Sequence, residues 1–168
     1  FPPDPIRDIF FIFPTVAFIH SSASFQVFSL TFPSSKRTVP SGKDLEAIFT
    51  PWKRTFDLID GGYNRAPKFP LPNNWQFMLR YAHLMNDDAA HAAVRITLQK
   101  MAFGGIYDQI GGGFARYSVD GKWHVPHFEK MLYDQAQIAV NFLEARGASG
   151  DERYGWLARD VLDYVLRD

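Results

Sequence analysis

Cysteine is absent from the 168 residues, and so is any excess of one charge: 18 basic side chains stand against 18 acidic ones. Without cysteine there is no disulfide scaffold, no thiolate metal ligand and no cysteine nucleophile. That usage fits a reducing compartment, and a cytoplasmic location is the expectation. A balanced charge leaves no basic field to gather phosphates, so no nucleic-acid partner is expected. Long apolar runs are missing too. The longest, "IFFIFPTVAFI" at residues 9–19, is too short to cross a bilayer as a helix, so no membrane partner is expected. A secretory signal at residues 9–24 would have the right length. Asp4 and Asp8 spoil its basic start, however, and Pro14 interrupts the run.

What is present belongs to a folded chain: 46% hydrophobic and 16% aromatic residues exceed anything a disordered segment carries. The chain starts at Phe1 and stops inside the helical pattern "VLDYVLRD", so a piece of a longer protein is expected. Residues 1–40, rich in Phe, Ser, Thr and Pro, read as short strands and irregular segments.

From Ser41 the pattern turns helical. Ser41 caps a short helix with Leu45, Ile48 and Phe49 on one face, although Pro51 complicates its continuation. Pro72-Asn73 opens a second helix carrying Phe77, Met78, Tyr81, Leu84 and Met85. "NDD" at 86–88 caps a third with Ala90, Val94, Leu98 and Met101, which Gly104-Gly105 ends. Pro126 is expected to open a fourth helix that buries Phe128, Met131, Leu132, Ile138, Phe142 and Leu143 and ends at Arg146-Gly147. The last segment places Tyr154, Leu157, Ala158, Val161, Leu162 and Val165 on one side of a fifth.

A repeat underlies these helices. "GGYNR" at 61–65 and "GGFAR" at 112–116 share Gly-Gly-aromatic-x-Arg, and each leads into a helix, a short turn and a second helix. Repeated units of this kind write stacked α-hairpins, and a ring of them is the complete object expected.

The stretch "GGGFARYSVDGKWHVPHFEKMLYDQ" (111–135) concentrates the chemistry. Asp120-Gly121 predicts a two-residue β-turn that places Tyr117 opposite His124, with Arg116, Ser118 and Trp123 on the other face. The triple glycine lacks a following Lys-Ser/Thr, so nucleotide binding is rejected. His127 and Glu129 are expected in the first turn of the helix begun by Pro126. There the helix terminus stabilises a carboxylate and keeps a histidine neutral, a pairing suited to proton transfer. The same helix would carry Lys130, Asp134, Gln137 and Asn141 as a polar stripe facing water or the ring's lumen. No metal is expected, because His124, His127 and Glu129 straddle an element boundary with nothing to fix their register. Lys68, within the proline-stiffened "APKFPLP", is expected to point at the ring's mouth beside Arg116 and His127.

Three blocks carry a family resemblance: "GGYNRAPKFPLP", "MAFGGIYDQIGGGFARYSVDGKWHVPHFEKMLYDQAQIA" and "GDERYGWLARDVLDYVLRD". Over about residues 56–168 the chain resembles the thioredoxin-domain-containing family of unknown function that includes the spermatogenesis-associated thioredoxin-like proteins. The resemblance implies an upstream thioredoxin-like domain. It also implies an (α/α)6 barrel similar to N-acylglucosamine 2-epimerases and six-hairpin glycosidases, of which residues 41–168 are the first hairpins. Residues 1–16 faintly resemble the end of the thioredoxin-like domain, and 17–40 remain unassigned.

The expected fold is therefore mainly α, a fragment of an (α/α)6 barrel with a short β-hairpin near 114–125 and an irregular start. By fold analogy it handles a small carbohydrate, moving a proton next to a sugar carbonyl with no metal or cofactor. His127 is the expected base or acid and Glu129 its orienter. Arg116, Tyr117, Lys68 and Asp134 make up the substrate-binding set. The alternative is a non-catalytic structural or interaction module that accompanies the thioredoxin-like domain.

Overall fold

The computed structural model describes residues 41–168. The strands expected in residues 1–40, the apolar run and the thioredoxin-like remnant lie outside the described residues. Five helices follow one another: α1 (Gly42–Lys53), α2 (Pro72–Met85), α3 (Asp88–Phe103), α4 (Leu132–Ser149) and α5 (Glu152–Arg167). One small antiparallel pair, β1 (Tyr117–Ser118) and β2 (Pro126–His127), interrupts them. Helix α1 begins in a capping box in which Ser41 and Asp44 satisfy each other's backbone N–H. It runs through Pro51 in its last turn, a residue with no N–H to donate back along the helix. Asp87 and Asp151 cap α3 and α5 by accepting from Ala90 N and Arg153 N, at 3.0 Å each.

Two α-hairpins, α2–α3 and α4–α5, turn at Asn86-Asp87 and Gly150-Asp151, with Asn86 and Gly150 in left-handed C-cap conformations. Helices α2 and α4 lie side by side, and each packs on the second helix of its own hairpin. Ala90, Val94, Leu98 and Met101 are buried along α3, and Tyr154, Leu157, Ala158 and Val161 along α5, as their spacing predicts. Helix α1 joins by aromatic contact: Phe49 lies 4.1 Å from Tyr81 and Trp52 5.9 Å from Phe77, centroid to centroid. Ile48, expected on that face, is exposed.

Two buried polar atoms of the helices have no partner among the described residues, Asn141 Oδ1 on α4 and the Tyr154 hydroxyl beside the α3–α5 crevice. Gln99 lies near the hydroxyl, outside hydrogen-bonding geometry. Removing an unpaired buried hydroxyl costs nothing in hydrogen bonding, so Tyr154→Phe should leave stability unchanged or raise it by up to about 1 kcal/mol. A loss larger than that in denaturant titration would reveal a partner for the hydroxyl.

Each hairpin is introduced by the same loop, and the likeness is deeper than Gly-Gly-aromatic-x-Arg. Phe56-Asp57 corresponds to Tyr107-Asp108, and the bridges Phe56↔Tyr63 and Tyr107↔Phe114 close the two loops alike. Asp57 accepts from the Ile59 and Asp60 N–H groups, as Asp108 does from those of Ile110 and Gly111. Lys68 then donates to Asp57 Oδ2 (2.7 Å) and the Gly61 carbonyl (2.6 Å). Lys130 repeats this on Asp108 Oδ2 (2.8 Å) and the Gly112 carbonyl (2.7 Å). An aromatic ring lies under each ammonium: Trp123 under Lys68 at 5.6 Å and Tyr164 under Lys130 at 4.3 Å.

The second loop is longer, and two expectations fail there for one reason. The strands pair Tyr117 with His127 and Ser118 with Pro126 rather than Tyr117 with His124. Trp123 is fully buried with φ 66°, and its indole N–H donates to the Asp60 carbonyl (2.8 Å), so it cannot sit in a two-residue hairpin. Asp120 instead organises a wide loop, accepting from the N–H groups of Lys122 (2.5 Å) and Val125 (2.6 Å). With Pro126 drawn into β2 and Lys130 onto Asp108, the helix cannot start before Leu132. Phe128 and Leu132 are consequently exposed rather than buried; farther along α4 Ile138 and Phe142 reach the core while Leu143 is exposed.

Candidate functional site

At the end of the hairpins where both loops lie, a groove of roughly 350 Å³ opens between residues 69–74, Arg116 and the first turn of α4. Asn73 and Asn74 enter it from the start of α2, and Tyr133, Asp134 and Gln137 from α4. The two helices facing it differ from the rest in how they begin. Side chains cap α1, α3 and α5, whereas α2 starts at Leu71 and α4 at Met131 with no side-chain cap. Pro72 has no N–H, and those of Asn74 and Asp134 donate to the Leu71 and Met131 carbonyls at 3.0 Å each, which leaves Asn73 in α2 and Leu132 and Tyr133 in α4 without a backbone acceptor.

Asp134 is the carboxylate of this groove. It is 8% exposed and has no hydrogen-bond partner among the described residues. Burial pushes its carboxyl above the usual aspartate range, and the Arg116 charge pulls only partly the other way. Arg116 donates through Nη1 to Glu129 Oε2 at 2.9 Å, and its backbone N–H donates to the Glu129 carbonyl at 2.7 Å. The guanidinium in turn holds the Glu129 carboxyl below its usual range. His127 Nδ1 lies 3.6 Å from the same Glu129 oxygen, enclosed and without a hydrogen bond among the described residues. The His127 ring stacks on Tyr117 (4.6 Å), and Tyr117 packs on Phe69 (4.8 Å), giving a three-ring ladder that meets the groove at Phe69.

Of the six residues singled out from sequence, Arg116 and Asp134 line the groove, while Glu129, His127 and Tyr117 form a contact chain running back from Arg116. Their setting differs from the expectation, because His127 lies in β2 and Glu129 in the segment before α4. The helix terminus therefore acts on neither, and Arg116 governs Glu129 instead. Lys68 does not join them. It is 2% exposed and fully engaged by Asp57, Gly61 and Trp123, so its ammonium is a clamp inside the first loop rather than a substrate contact. Sequence reasoning missed Asn73, Asn74 and Tyr133. The signal available for the first two was their place directly after Leu71-Pro72, a helix start without a capping residue.

Fold and groove together define a class: stacked α-hairpins introduced by repeated glycine loops, with a polar opening between two uncapped helix starts. No protein-family profile matches the chain. It is similar to spermatogenesis-associated protein 20 of Homo sapiens, 50% identical over 116 residues, which is 67% of this chain and 15% of that protein. The protein of the same name from Mus musculus is 49% identical over the same length. An uncharacterized protein of Caenorhabditis elegans is 44% identical over 101 residues, 58% of this chain and 14% of its own length. The chain spans about 15% of the length of the mammalian relatives it matches, and their name agrees with the family named from the sequence. Among the described residues, no helix is long and apolar enough to cross a membrane.

Proposed function

We propose that the groove binds a small carbohydrate or polyol and serves acid–base isomerisation next to a sugar carbonyl. It would do so in a longer cytoplasmic protein whose (α/α) barrel is joined to a thioredoxin-like domain. One observation carries the reading: Asp134 offers a carboxylate with no side-chain partner among the described residues in a groove also lined by Asn73, Asn74, Arg116 and Gln137. Donors and acceptors interleaved at short range suit hydroxyl groups, each of which both donates and accepts. Phe69, the end of the three-ring ladder that lines the groove, adds an apolar face against which the C–H side of a sugar ring can lie. No metal or cofactor enters this reading.

The test uses the full-length protein with a panel of ketoses, aldoses and amino sugars in deuterated water. Saturation-transfer NMR reads binding, and loss of the proton signal next to the carbonyl reads exchange. Binding by at least one panel member, with exchange at that carbon, is expected; neither event across the panel sinks the reading. A non-catalytic role has one observation in its favour, since Arg116 and Glu129 satisfy each other through both side chain and backbone. In that case Glu129→Ala would lower the melting temperature and leave no ligand binding to lose.

A further inference from the structure

We infer that Asp134 is the group that moves the proton, with Arg116 facing the oxygen on which charge develops. The inference rests on the carbohydrate reading above and assigns its chemistry to a residue that the sequence pattern had placed only among the substrate contacts.

Three groups near the opening could accept a proton, and their surroundings separate them. Glu129 is half exposed, and its Oε2 is occupied by Arg116 at 2.9 Å, so the lone pair a base would use is already engaged. His127 is set back from the groove's lining, with its ring against Tyr117 and its Nδ1 enclosed. Asp134 lines the groove, is more than nine-tenths buried, and receives no hydrogen bond from any described residue. It also stands on the first turn of an eighteen-residue helix, which fixes its position better than a loop would.

That placement suits a base in two ways. The helix start favours the ionised form, so the carboxylate is ready to accept at neutral pH. Burial makes it more basic than a free aspartate, which improves proton transfer from carbon. Arg116, bound to Glu129 through Nη1 alone, keeps other N–H donors for the groove it lines.

The step balances without any co-reactant. Asp134 takes the proton from the carbon next to the sugar carbonyl, so that C–H bond breaks and an O–H bond forms on the carboxyl group. The released electron pair becomes the C=C bond of an enediolate, and the former carbonyl oxygen carries the negative charge opposite Arg116. Return of the proton from Asp134 to the enediolate regenerates the carboxylate. While protonated, the carboxyl trades its proton with solvent, which is how deuterium enters the sugar.

The experiment compares full-length wild-type protein with Asp134→Asn on the sugar from the panel that binds. The amide keeps the shape of the side chain and removes its basicity. Binding is expected to weaken by about tenfold, as a charged acceptor for the sugar hydroxyls becomes a neutral amide, and exchange by the bound sugar to slow on the order of 10²–10⁴-fold. The wild-type exchange rate should rise across the carboxylate range and stay level through pH about 6.5, where an imidazole base would titrate. Retained binding shows that the variant is folded at the site. Should Asp134→Asn exchange within threefold of wild type, or wild type bind without exchanging, the assignment to Asp134 is overturned while the binding reading survives. If wild type neither binds nor exchanges any panel sugar, both fail together.

Discussion

Lys68→Met should destabilise the protein by about 3–5 kcal/mol, the range for removing one partner of a buried ion pair. Lys68 and Asp57 are 1% and 15% exposed in their side chains, and the ammonium also carries the Gly61 carbonyl and lies over the Trp123 ring. Methionine fills the space of the stem but offers no donor. The Asp57 carboxylate would then have only the Ile59 and Asp60 N–H groups to hold it. Burial alone would push Asp57 up, yet hydrogen bonds from Lys68 and the loop N–H groups outweigh it and keep the carboxyl below its usual range. A depressed carboxyl contributes stability that is complete above its unfolded value and fades only as pH falls through the folded one. At neutral pH the full loss should therefore appear.

The second loop supplies the comparison. Lys130 makes the same two hydrogen bonds, but it and Asp108 are 19% and 42% exposed, so water can replace the ammonium. Lys130→Met should cost roughly 1–2 kcal/mol, in line with a charge-assisted hydrogen bond in a partly wet setting. Denaturant titration of both variants measures the difference. Equal losses, or a Lys68→Met loss under about 1 kcal/mol, would contradict the account of the first loop as the buried one. Asp57→Leu combined with Lys68→Met should recover part of the loss, because it removes the stranded charge as well.

This pair also shows where the sequence could be read and where it could not. The helices of the two hairpins were legible because burial on one face writes a 3.6-residue period into the chain, and Ala90, Val94, Leu98 and Met101 follow it without a break. The loop repeat was legible only at its glycines and arginine. The Asp–Lys clamp was hidden because Lys68 stands seven residues after Gly61 while Lys130 stands eighteen after Gly112. A lysine beside prolines then looked like a solvated group free to meet a substrate, when a carboxylate eleven residues upstream had claimed it.

Register in the 117–131 stretch was lost to a long-range contact. Local preference at Asp120-Gly121 favours a two-residue turn, but burying Trp123 against residues 60–62 outweighs it and carries Pro126 and His127 out of any helix. The candidate site nevertheless gathered, since Arg116, Tyr117, His127, Glu129 and Asp134 lie on either side of that loop and converge whatever its register. What sequence could not supply was the ranking within the set. Asp134 looks like one more carboxylate on a polar stripe until the fold shows that it alone among these carboxylates is left without a partner.

Gly61→Ala is the second change expected to be severe, at about 3 kcal/mol or more from overpacking and a left-handed backbone together. Gly61 has φ 72°, and a Cβ built on it would stand 2.6 Å from the Cα and 2.9 Å from the N of Thr97. Those are backbone atoms in the middle of α3, so no side-chain rotation can relieve the contact. The adjacent Gly62 N–H donates to Thr97 Oγ1 at 2.8 Å, which pins the loop flush against the helix. Displacing the loop by the ångström a methyl group needs would stretch that bond and shift the Gly61 carbonyl that Lys68 holds. Gly150 is the control: its φ is 70°, but nothing lies within 4 Å of the added Cβ. Gly150→Ala should therefore cost only the conformational part, about 1–2 kcal/mol. In Gly113→Ala the nearest obstacle is the Tyr164 ring at 2.6 Å, a side chain that can give way, so its loss should fall between the other two. That order, Gly61 worst and Gly150 mildest, separates close packing from backbone strain, because all three positions share nearly the same φ. If the three midpoints move together in denaturant titration, backbone strain alone is at work and the first loop does not seat on α3.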